Sequence, residues 1–96
     1  MRIPHKQIAE FCRRHKITEF AIFGSVLRKD FAPESDVDVL VTFAPDAHYS
    51  LLDLVSMQEE LKAILGRDVD LVERAGLRNP FRRSHILRNM QVVYAA

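Results

Sequence analysis

The stretch from Asp36 to Phe43 constrains this chain more than any other. Its residues alternate, with Val37, Val39, Val41 and Phe43 on one face and Asp36, Asp38, Leu40 and Thr42 on the other. A period of two belongs to a β-strand. The chain must therefore build a sheet, and the opening half of this strand presents acid on one side. Strand interiors disfavour Asp, and two like charges on a half-buried face raise one another's pKa. A solvated strand end after the turn-forming Ser35-Asp36 pair is the simpler alternative. The direct continuation into Val39-Leu40-Val41 favours a functional origin for the acids.

The remaining elements follow from local signals. Pro4 suits a first helical turn, and Ile8, Phe11 and Cys12 recur at helical spacing up to about His15. Phe20-Ala21-Ile22-Phe23 is a continuous apolar run stopped by Gly24, the pattern of a strand buried on both faces. Val26 to Lys29 then reads as a helical turn capped by Ser25, before a loop through Pro33 to Ser35. Ser50 and Asp53 form a capping-box pattern ahead of Leu51, Leu54, Val55, Leu61, Ile64 and Leu65, with Gly66 as a left-handed stop. Val69, Leu71 and Val72 predict a third strand. Asn79-Pro80 opens a last helix to about Met90, and Val92-Val93-Tyr94 predicts a final strand. Met57, Met90 and Tyr94 read as packing residues. The order predicts an α/β (α+β) fold with one sheet packed by helices.

Size and charge narrow the function. At 96 residues the chain has the length of one domain, 1–96, with nothing left over for a second, acceptor-holding domain. Its 14 Lys and Arg against 13 Asp and Glu, a formal +1, argue against direct nucleic-acid binding, which needs a visible basic excess. The single Cys12 cannot form an internal disulfide, and no Cys/His spacing matches a zinc site. The N-terminal residues lack a signal-peptide pattern. The longest apolar run, Val92 to Ala96, is far short of the ~20 residues of a membrane span, so a cytoplasmic protein without membrane contact is expected.

Three features then converge on one chemistry. Gly24-Ser25, between a buried strand and a helical turn, leaves backbone N–H groups and a hydroxyl where an anion could sit, although most such pairs are ordinary turns. Asp36 and Asp38, two apart on a strand, share a face with Cα atoms ~6.6 Å apart, close enough to hold one divalent cation or to share two. Asp70 opens the apolar part of another strand in the same way, and a neighbouring strand would set its carboxylate beside the pair. Oxygen-only ligation points to Mg²⁺ or Mn²⁺ rather than zinc. The four histidines show no triad or metal spacing, and the arginines at 78, 82, 83 and 88 read as a solvated helix face.

Taken together, Gly24-Ser25, ten intervening residues, Asp36-Val37-Asp38 and then Val69-Asp70-Leu71-Val72 resemble the signature of the DNA polymerase beta-type nucleotidyltransferases. More narrowly, Gly-Ser-x-x-Arg through Ser-Asp-x-Asp is similar to the minimal MNT-type members that serve as antitoxins of HEPN-domain ribonucleases. Lys29 departs from that pattern, standing where these proteins usually carry a second glycine. The resemblance implies a nucleotidyltransferase fold with a mixed sheet of about four strands. It also implies that Asp36, Asp38 and Asp70 are catalytic and bind two Mg²⁺ ions, with ATP as substrate. Gly24 would let the backbone approach the triphosphate and Ser25 would donate to its terminal phosphates, while Arg28 would face either those phosphates or a partner. The implied activity is transfer of AMP to a hydroxyl, most plausibly a tyrosine, of a HEPN-type toxin held in a hetero-oligomer. Two alternatives stay open: an antitoxin that acts by binding alone, and a nucleotidyltransferase acting on a small molecule.

Overall fold

The computed structural model describes residues 3–24 and 36–96. Its elements are α1 (His5–Arg14), β1 (Ile17–Phe23), β2 (Val37–Phe43), α2 (Leu51–Leu65), β3 (Val69–Glu73), a 3-10 turn (Arg74–Gly76), α3 (Pro80–Asn89) and β4 (Gln91–Ala95). The expected helical turn from Val26 to Lys29 and the loop up to Ser35 lie outside the described residues. Every other expected helix and strand is present. Among the described residues no helix is long and apolar enough to cross a membrane.

The strands form one open mixed sheet in the order β3-β2-β1-β4. β1 runs antiparallel to both β2 and β4, and β2 runs parallel to β3. A parallel neighbour needs a crossover, and α2 supplies it. The central strand β1 is apolar on both sides, as its unbroken run predicts. Phe20 and Ile22 join Ile8, Phe11, Val37, Val39, Val41, Met57 and Leu61 in the larger core beneath α1 and α2. Ala21 and Phe23 join Leu40, Leu77 and Ile86 in a smaller core beneath α3. Helices thus cover both faces of the sheet. The alternation of β2 divides its residues between them, Val37, Val39 and Val41 to one side and Leu40 to the other.

The expected caps form. Ser50 Oγ accepts from Asp53 N at 3.2 Å while Asp53 Oδ2 accepts from Ser50 N at 2.8 Å, a complete capping box. Gly66 ends α2 in the left-handed region at φ 70°. Asn79 Oδ1 accepts from Phe81 N and Arg82 N, with Pro80 in the first turn of α3.

Two departures from the sequence reading have clear physical causes. β1 starts at Ile17 rather than Phe20, because Ile17 and Glu19 pair with Phe43 and Thr42 of β2 and Thr18 Oγ1 donates to the Thr42 carbonyl at 3.2 Å. Pairing on both edges satisfies the backbone and carries the polar residues along. In α2, Met57 and Leu61 are buried, but Leu51, Leu52 and Val55 are 77%, 78% and 53% exposed. The apolar stripe at helical spacing is therefore wider than the face this sheet can cover, and the first turns of α2 leave apolar surface in solvent.

Candidate active site

The acidic end of β2 is built by three local events. β1 finishes at Phe23, which pairs with Asp38, and the chain leaves through Gly24 at φ +81°, a left-handed conformation that favours glycine. The parallel pairing of β2 with β3 then sets Asp38 opposite Asp70. Val37 N donates to the Asp68 carbonyl at 2.9 Å, which ties the starts of the two strands together and fixes that register. Asp36 lies one residue before β2 at the same end and is exposed.

Gly24 is required here for a reason its sequence context did not disclose. A Cβ on this residue would stand 2.1 Å from Asp38 Oδ2 and 3.0 Å from Asp38 Cγ. The Asp38 carboxylate occupies the space that any side chain at position 24 would need. The family resemblance implies that Gly24 also lets the backbone approach a ligand's phosphates. The structure shows that the close approach already made is that of Asp38.

Asp38 is half-buried while Asp36 and Asp70 are exposed. Burial first, and then the charges of Asp70 and Asp36, raise the Asp38 carboxyl above its ordinary range, with the Arg82 guanidinium opposing them. The fold thus gathers carboxylates around Asp38 with little positive charge to offset them, which disfavours its ionised form. All the donors are carboxylate oxygens, the chemistry a hard divalent cation requires. Among the described residues, however, no three His, Cys, Asp or Glu side chains are gathered closely enough to enclose an ion as they stand. The donor set fits Mg²⁺ in its oxygen-only chemistry, and Asp38 and Asp70 face each other across β2 and β3.

Ser25, Arg28 and Lys29 lie outside the described residues. Arg82 is exposed on α3, as its place among the basic residues predicts, and its charge opposes the rise in the Asp38 pKa. It stands one helical turn before Ile86, which is buried against the sheet. The other arginines behave differently. Arg78, Arg83 and Arg88 line a separate groove of about 370 Å³ with Pro80, Ser84 and Leu87. A second polar hollow of about 320 Å³, lined in part by His15, Lys16, His48 and Tyr49, lies at the opposite end of the sheet, where β1 begins and β2 ends. Arg14 and the His15 ring contact Glu60, and Lys16 pairs with Asp46.

Residues 5–93 match the family model described as nucleotidyltransferase domain. The protein adenylyltransferase MntA of Thermococcus cleftensis is 38% identical over 90 residues, which cover 94% of this chain and 84% of that protein. A crystal structure of a toxin–antitoxin complex with AMP-PNP superimposes with a TM-score of 0.77 at 19% identity, covering 98% of this chain and 75% of that one. The complex of a tri-AMPylated Shewanella oneidensis HEPN toxin with its MNT antitoxin superimposes with a TM-score of 0.64 at 20% identity, covering 96% and 70%. These two structures share the fold, and the family match extends over nearly the whole sequence. This chain belongs to the nucleotidyltransferase domain family and is a nucleotidyltransferase enzyme.

Proposed function

We propose that this protein is an antitoxin that transfers AMP from ATP to a hydroxyl, on a tyrosine, of a cognate HEPN-type ribonuclease toxin, in a Mg²⁺-dependent reaction. The observation that carries this reading is the register of Asp38 against Asp70, with Gly24 shaped around the Asp38 carboxylate. The MntA relative is named a protein adenylyltransferase, and one structural neighbour holds an AMPylated HEPN toxin, which supports the acceptor class.

Asp36, Asp38 and Asp70 would hold two Mg²⁺ ions, whose charge offsets that developing on the entering and leaving oxygens. The chain's own residues orient the reactants. The backbone at Gly24 and the side chains of Ser25 and Arg28 receive the triphosphate. Asp70, on edge strand β3, would ligand the metal that activates the acceptor hydroxyl. The acceptor hydroxyl gives up its proton to solvent as its oxygen forms a bond to the α-phosphorus in line, and the bond to the leaving pyrophosphate breaks. The acceptor hydroxyl belongs to the partner protein, as in the structural neighbour that holds an AMPylated HEPN toxin. The setting is the cytoplasm, where toxin, ATP and Mg²⁺ meet.

Neutralisation by binding alone is a second reading, favoured by the exposed Leu51, Leu52 and Val55, which suit a stable protein interface. One experiment separates the two. The protein is incubated with Mg²⁺, α-labelled ATP and its co-purifying partner, alongside the Asp36→Ala/Asp38→Ala variant. Label on the partner with the wild type and none with the variant supports transfer. Equal protection of cells from the toxin by the double variant supports binding alone.

A further inference from the structure

We infer that Arg82 is a nucleotide-binding residue of the acidic site, where its guanidinium takes phosphate oxygens of a nucleoside triphosphate held beside Asp38. This rests on the nucleotidyltransferase reading above and adds a residue from α3, which no part of the Gly-Ser or Asp-x-Asp pattern includes.

The argument starts from the sheet. Asp38 and Leu40 lie on the same face of β2, and Asp70 and Val72 lie on the matching face of β3. Leu40 and Val72 are the residues on which α3 packs, through Ile86. The three carboxylates and α3 therefore share one side of the sheet. Arg82 precedes Ile86 by one turn, which sets it on the sheet-facing part of the helix and displaced toward the helix N-terminus.

Leu77, just before α3, is buried in one core with Phe23 and Leu40, and Phe23 pairs with Asp38, so the N-terminal turn of α3 that carries Arg82 starts at the acidic end of the sheet. Yet Arg82 closes no ion pair with Asp38 or with any other described acid, and its side chain is exposed. A guanidinium placed to neutralise Asp38 would form the bidentate pair its geometry favours. One held nearby without pairing keeps its donors for an anion. The first turn of α3 holds no acidic residue to compete for it. A triphosphate brought against three carboxylates needs cationic donors besides the metal ions, and Arg82 supplies five N–H groups in a fork that matches phosphate oxygens.

The test is calorimetric binding of a non-hydrolysable ATP analogue with Mg²⁺, and of Mg²⁺ alone, to the full chain. Arg82→Ala is expected to weaken analogue binding about tenfold or more, from the loss of charge-assisted hydrogen bonds. Arg82→Lys should recover part of that loss, and Arg83→Ala, in the separate groove, should match the wild type. Mg²⁺ alone should bind Arg82→Ala as tightly as the wild type or more tightly, because a competing cation beside the carboxylates has gone. A loss of analogue affinity without a loss of Mg²⁺ affinity cannot come from general damage to the fold. Analogue binding by Arg82→Ala equal to wild type overturns the inference, as does an equal loss in Arg83→Ala or a parallel loss of Mg²⁺ binding. A wild type that binds Mg²⁺ but no analogue overturns the nucleotidyltransferase reading and this inference together.

Discussion

Replacing Gly24 with Ala perturbs the site with a single methyl group, and two separate effects follow from the geometry. The first is backbone strain. At φ +81° an L-residue is disfavoured, at a cost of about 1–2 kcal/mol. The second is steric, since the new Cβ would stand 2.1 Å from Asp38 Oδ2. A carboxylate at the end of a short side chain can rotate away, so this overlap displaces Asp38 more than it unfolds the protein. The strain alone lowers the melting temperature by about 4–15 °C in a domain of this size. Mg²⁺ and nucleotide binding should fall further than that loss accounts for, because the carboxylate has left its position. The assay is thermal denaturation with calorimetric Mg²⁺ binding on the wild type, Gly24→Ala, Asp38→Ala and the double variant. With Asp38 reduced to its Cβ, the nearest remaining atom is 3.4 Å away, an ordinary contact. Only the backbone strain should then remain, and the coupling between the two sites should lie within about 0.5–3 kcal/mol. Equal destabilisation by Gly24→Ala in both backgrounds, with Mg²⁺ binding untouched, would refute the reasoning.

Other consequences can be checked by similar means. Asp38 has a folded-state pKa raised by burial, Asp70 and Asp36. Its native state therefore binds a proton more tightly than the unfolded chain, and stability falls as pH rises through that raised pKa. Asp38→Asn should accordingly raise the melting temperature in metal-free buffer at neutral pH while abolishing AMP transfer, and a lowered melting temperature would contradict this. Glu60 behaves oppositely, because the Arg14 guanidinium and the His15 ring hold its carboxyl below the usual range. Its contribution is present above the unfolded pKa and is lost as pH falls through the folded one. Glu60→Gln should cost at most about 1 kcal/mol at pH 7, and the wild-type and variant melting curves should converge in acid. Leu61→Ala, at a fully buried core position, should cost about 2–5 kcal/mol in urea denaturation. Leu52→Glu, at a position 78% exposed, should stay within about 0.5 kcal/mol of wild type.

Where the sequence spoke clearly, a local rule decided the structure. The capping box at Ser50, the left-handed stop at Gly66 and the Asn79-Pro80 start each depend on residues within one turn of each other. The alternation from Asp36 to Phe43 depends only on the pleat. What was hidden depends on partners distant in sequence. The space Gly24 leaves for Asp38 exists because β1 and β2 pair in one register, and no neighbour of either residue encodes that. Which face of α3 meets the sheet is set by the packing of Ile86, one turn after Arg82, and no local rule in the sequence gives it. Leu51 and Val55 fit the helical stripe, yet the sheet beneath α2 is too narrow to cover them. The early start of β1 follows a reversal at Lys16, which adopts a left-handed φ of 55° without being glycine and whose carbonyl accepts from Ala44 N at 2.8 Å. The acids themselves were legible because Asp is costly in a strand interior. Their alignment across β2 and β3 was not, since it needs the crossover through α2.

The central claim is transfer of AMP to a partner protein by the site at the acidic end of β2. Its most direct measurement is the intact mass of the co-purified partner after incubation with ATP and Mg²⁺, with this protein or its Asp36→Ala/Asp38→Ala variant. Partner mass rising in steps of one AMP with the wild type, and unchanged with the variant, is the expected result. A partner whose mass never changes, or changes equally with the variant, would contradict the claim.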